Sequence, residues 1–164
     1  MAENIAFAGP ADEEELKGLL TGTGMDLAGD VTEHVVLRQG DRILAGARLF
    51  QVDDELFHLM VFAVAAAERG RGTGRAFLRE LGACPWAYCR EALPVGGPYR
   101  VTTVAKGTAA GFYNQVGYRE CGFAQLPAPF DEQCAICPDR EQCSPVPMVF
   151  CSDADEGCLR GQGR

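Results

Sequence analysis

Three glycines and three arginines share seven positions, Arg69-Gly70-Arg71-Gly72-Thr73-Gly74-Arg75. Before them, Leu56 to Val64 is an apolar, β-branched and aromatic run of strand type. After them, Ala76, Phe77 and Leu81 fall on the inner side of an amphipathic helix. Strand, glycine turn and helix start together make an anion cradle. Successive backbone N–H groups point outward, the helix dipole adds positive charge, and glycine lets a ligand approach the backbone closely. The spacing excludes two kinds of phosphate loop. The G-x-G-x-x-G fingerprint fails because Arg75 or Phe77 stands where a small residue is needed, and G-x-x-x-x-G-K-[ST] fails for want of a lysine. The plain alternative is a glycine-rich surface turn with its arginines in solvent.

Cysteine supplies a second group. Of eight cysteines, Cys84, Cys89, Cys121, Cys134, Cys137, Cys143, Cys151 and Cys158, six lie in the last third of the chain. Cys134-x-x-Cys137 places two thiolates on one tight turn, and Cys143 can return to the same ion. Cys121, Cys151 or Cys158 is available as the fourth ligand of a closed zinc site. An iron–sulfur cluster needs similar thiolates, and reduced thiols or a redox disulfide are the plain readings. The set Cys134, Cys137, Cys143 and Cys121 is expected to hold a structural metal, zinc foremost.

The elements that position these groups follow from periodicity. Ile5 to Ala8 reads as a short strand, and Asp12 as the cap of a helix with Glu13 to Glu15 in its first turn. Leu16, Leu19 and Leu20 form its apolar stripe, and Gly22 and Gly24 end it. Met25 to Asp30 reads as a loop or short helix. Val31 to Arg38 and Ile43 to Val52 read as strands, joined at Gln39-Gly40-Asp41, and Asp53-Asp54-Glu55 turns into the strand Leu56 to Val64. Further on come a short helix within Pro85 to Ala92, a strand over Arg100 to Val104 and a helix from Thr108 to Val116 closed by Gly117. A strand beginning in Tyr118 to Leu126 and a last one over Val146 to Cys151 complete the chain. The expectation is one α/β (α+β) domain over 1–164, with a cysteine-rich insertion at 127–146 between the last two strands and a tail at 152–164.

A chain of 164 residues suits a single core. The net charge of −8 and only two lysines, Lys17 and Lys106, argue against a nucleic-acid surface. Arg69, Arg71 and Arg75 stand against that acidic background as a local site for a polyanion, and the remainder weakly favours a cationic partner. No apolar run approaches a membrane span. Met1-Ala2-Glu3-Asn4 shows no secretory signal, so a cytoplasmic setting is expected.

Arg69-Gly70-Arg71-Gly72-Thr73-Gly74 fits Arg/Gln-x-x-Gly-x-Gly/Ala. With the strand before it, it resembles the pyrophosphate-binding signature of the GCN5-related N-acetyltransferases (the GNAT family). Ala109-Ala110-Gly111-Phe112-Tyr113-Asn114-Gln115-Val116-Gly117-Tyr118 resembles the family's second signature, A-x-x-F-Y-x-x-x-G-[FY], in order and at the expected distance. The resemblance covers roughly Ile5 to Leu126. Lys106 departs from it, standing where the family often has asparagine along the cofactor.

The resemblance implies a GNAT-like central mixed, mostly antiparallel sheet flanked by helices. It implies acetyl-CoA as co-substrate and direct transfer to a primary amine, on a small molecule or a protein, in a ternary complex. The pyrophosphate then rests on the N–H groups of Arg69 to Gly74, with Arg75 beside them, and the pantetheine pairs with backbone near Phe62 and Val64. The Val64 N–H polarises the thioester carbonyl. Tyr113 matches the position that often protonates the CoA sulfur, its alternative being a core aromatic. His58 stands eleven residues before Arg69, where the histone-acetyltransferase branch carries a catalytic glutamate. A neutral imidazole there can take the ammonium proton, its alternative being a satisfied pocket residue. Glu55 is the runner-up base and His34 is structural. The rival functions are a non-catalytic acyl-CoA-binding module and a metal-dependent interaction protein using the cysteine segment. A monomer and a homodimer are both open.

Overall fold

The run Leu56 to Val64 has too little polarity to give one face to water, so its strand must be covered on both sides. The computed structural model, which describes residues 3–90, 92–93 and 95–152, shows how. Seven strands form one mixed sheet: β1 (Glu3–Phe7), β2 (Val35–Gln39), β3 (Arg42–Asp53), β4 (Leu56–Val64), β5 (Arg100–Ala105), β6 (Arg119–Glu120) and β7 (Val146–Cys151). Their order is β1-β2-β3-β4-β5-β7-β6. The helices are α1 (Glu13–Thr21), α2 (Thr73–Ala83), α3 (Ala110–Gln115) and, within the β6–β7 connection, α4 (Phe130–Gln133) and α5 (Arg140–Cys143). The chain divides into two compact units, Met1–Gln51 with Leu59–Pro94 and Val52–His58 with Val95–Arg164.

In the first unit, β1, β2 and β3 pair antiparallel in sequence order. Side chains alternate along β4, so Val61 and Ala63 join Leu16, Leu20, Val36 and Ile43 in one core. Phe62, on the opposite face, stacks on Phe77 of α2 with centroids 5.6 Å apart. Asp12 precedes α1, but its side chain makes no cap to that helix. Its carboxylate accepts from the Gly9 N–H at 2.8 Å and pairs with Arg38 at 2.9 Å. The expected strand at Val31 begins only at Val35. Asp30 accepts from the Thr32 N–H, and Val31–Glu33 closes into a 3-10 turn first.

In the second unit, β5 and β7 pair antiparallel over six residues, and β6 adds two pairs to β7. The strand expected to begin in Tyr118 to Leu126 is therefore short. Cys121 N–H donates to Pro147 O at 2.9 Å, but proline has no N–H to return, and the ladder stops. Gly122 N–H then bonds Gln125 Oε1 at 2.6 Å and a 3-10 turn begins. A 3-10 turn at Gly107–Ala109 likewise precedes α3 in the expected helix. The C-terminus of α3 is a Schellman motif: Tyr118 N–H bonds Tyr113 O at 3.1 Å and Gly117 N–H bonds Asn114 O at 3.2 Å.

That motif needs Gly117 at φ +100°, and a Cβ there would stand 3.4 Å from the Phe150 ring. Gly117→Ala should cost about 1–2 kcal/mol, read from urea denaturation midpoints. Gly111→Ala, inside α3 with open space around it, should be neutral or stabilising by up to about 1 kcal/mol.

Candidate active site

After β4 the chain makes one 3-10 turn, Ala66–Glu68, and reaches the glycines. Gly70 has φ +78° and Gly72 φ +83°, with open space where either Cβ would stand. The left-handed backbone, not crowding, calls for glycine here. Left-handed residues in a turn bring successive N–H groups round to one concave side. Among the described residues, no hydrogen bond uses the N–H of Gly70, Arg71, Gly72, Thr73 or Gly74. The helical ladder starts beyond them, with Ala76 N–H to Gly72 O at 3.0 Å.

The turn is held from behind. Glu68, a buried carboxylate, lies 3.2 Å from Arg42 and 3.9 Å from the largely exposed Arg71. Arg69 Nε donates to Val64 O at 3.3 Å, and Thr73 and Gly74 are buried beside Phe77 at the head of α2. Arg69, Arg71 and Arg75 are all exposed. The seven residues singled out from Arg69 to Arg75 thus form one continuous feature, immediately after the strand that carries Phe62 and Val64.

His58 lies in the second unit, buried at the start of β4. Its Nδ1 is 2.8 Å from Thr102 Oγ1, and Thr102 in turn reaches Phe57 O at 3.4 Å. Phe130 of α4 stacks on the imidazole, with centroids 3.9 Å apart and planes 13° from parallel. Burial pushes the His58 pKa down to about 4. The ring is neutral at pH 7, and dry surroundings hold it so.

Tyr113 is buried on α3, packed edge-on against Phe112 and Tyr118 at 5.4 and 5.3 Å. Burial pushes its phenol pKa well up, and a hydrogen bond with the Thr103 side chain works the other way. Thr102 and Thr103 are consecutive in β5, so their hydroxyls emerge on opposite faces of that strand. His58 and Tyr113 are therefore served by neighbouring residues but are not brought together. Glu55 is exposed at the turn before β4. His34 is buried with both ring nitrogens bonded to backbone, Ala28 N–H at 3.1 Å and Asp30 O at 2.9 Å.

The thiolate set is not assembled among the described residues. No group of three or more His, Cys, Asp or Glu side chains there is placed to hold a metal ion. Cys121 follows β6, and burial pushes its thiol up to about 11. Cys134 is half-buried and raised, first by burial and next by the Cys143 thiol, while Cys137 is exposed. Cys151 is disulfide-bonded, and Cys158 and residues 153–164 of the tail lie outside the described residues. The connection also supplies Phe130 to the His58 ring. Sequence reasoning missed Phe130 and Thr102: an aromatic among prolines and a threonine in an apolar strand carry no chemical signature.

A family model described as an acetyltransferase (GNAT) domain matches residues 30–120. The chain belongs to this family. No curated protein matches the sequence. Among solved structures, the N-acetylglutamate synthase of Neisseria gonorrhoeae, complexed with coenzyme A and N-acetyl-glutamate, is similar with a TM-score of 0.71 at 13% identity. The match covers 93% of this chain but only 36% of the synthase chain. Tetrahymena GCN5 gives 0.62 at 14% identity, covering 94% of this chain and 98% of that one. The ribosomal-protein-S18-alanine N-acetyltransferase of Escherichia coli gives 0.58 at 14% identity, covering 94% and 97%. At such identities the likeness concerns the fold, and the GNAT fold is what they share.

The depressed His58 pKa has a thermodynamic consequence. Below pH 6.5 the unfolded chain takes up a proton that the folded imidazole refuses until about pH 4. Stability should therefore fall as pH drops through that window, by roughly 3 kcal/mol for His58 alone. Denaturant titrations between pH 4 and 7 should show this slope flattened in His58→Gln. Phe130→Ala, which wets the ring, should move the His58 titration followed by NMR back toward 6.5.

Proposed function

We propose that this GNAT domain is an acetyl-CoA-dependent N-acetyltransferase that acetylates a primary amine directly in a ternary complex. The observation that carries the reading is the row of unengaged N–H groups from Gly70 to Gly74 at the head of α2. Such donors, backed by a helix dipole and flanked by exposed arginines, suit the linked phosphates of coenzyme A. The GNAT family model and the coenzyme A held by the structurally similar synthase support it.

In the reaction, the amine nitrogen forms a bond to the thioester carbonyl carbon, and the carbon–sulfur bond breaks. The nitrogen must lose a proton and the departing thiolate must gain one. Tyr113 is the proposed donor to the sulfur. Burial keeps it protonated and, by raising its pKa, makes it a stronger holder of that proton than a free phenol, so it hydrogen-bonds the departing sulfur first. His58 is the proposed proton acceptor. With a pKa of about 4, it is a poor match for a free ammonium near 10.4, a gap of roughly 9 kcal/mol. It is better matched to the nitrogen after the carbon–nitrogen bond has formed, when that nitrogen is strongly acidic. The amine therefore enters neutral. The rate kcat/KM should rise with pH toward the pKa of the acceptor amine, with no inflection between pH 5 and 8 from His58.

The burial of Tyr113 and the aromatic cover on His58 also suit a module that binds acyl-CoA without turning it over. Calorimetry with acetyl-CoA and a free-thiol assay across amines and peptides separate the two. The wild-type chain should bind, Arg71→Glu should bind about tenfold more weakly or worse, and Tyr113→Phe should bind normally but lose about tenfold or more in kcat. No heat with acetyl-CoA would end both readings, while binding with no acetylation of any amine would leave only the module.

A further inference from the structure

His58 and Thr102 share one hydrogen bond, and the direction of that bond decides which imidazole nitrogen is free to act. Thr102 Oγ1 carries a single proton and has two neighbours, His58 Nδ1 at 2.8 Å and Phe57 O at 3.4 Å. The carbonyl can only accept. If the hydroxyl donates to Phe57 O, its lone pairs accept from a protonated Nδ1, and every donor in the group has a partner. If it donates to Nδ1 instead, the ring proton moves to Nε2. Among the described residues, the His58 ring has no hydrogen-bond partner other than Thr102. That second arrangement leaves the Nε2–H with no partner in the protein, whereas the first leaves only an acceptor unused.

Resting on the reading of His58 as proton acceptor, we infer that Thr102 is the positioning residue that holds His58 in its Nδ1–H tautomer and leaves Nε2 bare for the amine. Thr102 touches neither amine nor thioester in this assignment and acts through the ring alone. Three contacts fix the imidazole: β4 supplies its backbone, Phe130 covers its face at 3.9 Å, and the hydroxyl holds its Nδ1 edge. A packing contact can hold the plane of a ring, but only a hydrogen bond distinguishes its two nitrogens. Thr102 is 2% exposed, in the six-residue ladder of β5 with β7. Its hydroxyl is thus held against the ring by the sheet itself.

The chain has two histidines, which makes the tautomer directly readable. Long-range proton–nitrogen correlation spectra of the whole chain labelled with 15N-histidine, at pH 7, report protonated and bare ring nitrogens separately, and His58→Gln assigns the signals. Wild-type His58 should show a protonated Nδ1 and a bare Nε2. Thr102→Val should move the ring toward the Nε2–H form and leave the His34 pattern unchanged. Its kcat should fall about tenfold or more at unaltered KM for acetyl-CoA. Thr102→Ser, which keeps the hydroxyl, should restore both the spectrum and the rate. A protonated Nε2 in the wild type, read without any variant, overturns the assignment, and so does a Thr102→Val spectrum identical to wild type. A tautomer that switches as expected while kcat stays constant supports the role of Thr102 and removes His58 from the chemistry.

Discussion

The turn that joins β4 to α2 must reverse the chain while leaving its own amides unspent. Most turns close by bonding their N–H groups internally, which would leave nothing for a ligand. Two left-handed glycines avoid that closure, and the groups from Gly70 to Gly74 remain open. Open donors cost stability unless the segment is anchored by other means. Here the anchors are Phe77 against Phe62 in front of the turn and the buried Glu68 carboxylate with Arg42 behind it. Arg69, through Val64 O, and Arg71, beside Glu68, add to that anchoring as well as to the charge.

A second constraint is the pleat of β5. Neighbouring residues of one strand face opposite ways, so Thr102 and Thr103 serve His58 and Tyr113 from the same short segment. A one-residue slip against β7 would exchange the two hydroxyls. The six-pair ladder, with Val101 and Ala105 buried, holds the register. Buried hydroxyls are tolerated there because each finds a partner. The same dryness that makes these bonds strong keeps the imidazole neutral and the phenol protonated.

The β6–β7 connection does packing work besides carrying cysteines. Its short helix α4 brings an aromatic ring onto His58, and its far end passes so close to Gly107 that a Cβ there would meet Ser144 O at 2.9 Å. A segment of about twenty residues without a long helix can hold its shape only by such contacts. The thiols Cys134, Cys137 and Cys143 are carried along on it, half-buried or exposed.

What could be read directly from the chain was local. The run Leu56 to Val64, the spacing of Gly70, Gly72 and Gly74, and the exit at Gly117 each depend on backbone rules that act over a few residues. They appear in the structure at the expected positions. Where a neighbour decides, the reading failed. The strand at Tyr118 to Leu126 ends early because Pro147, far along the chain, cannot donate to it. Asp12 prefers Arg38 and Gly9 to the helix it precedes. The partners of His58 come from positions 102 and 130, and neither threonine nor phenylalanine advertises such a role in sequence. Glycine torsions and apolar alternation are written in the residues themselves. Which hydroxyl meets which ring is a matter of strand register and loop path, and those exist only once the chain has folded.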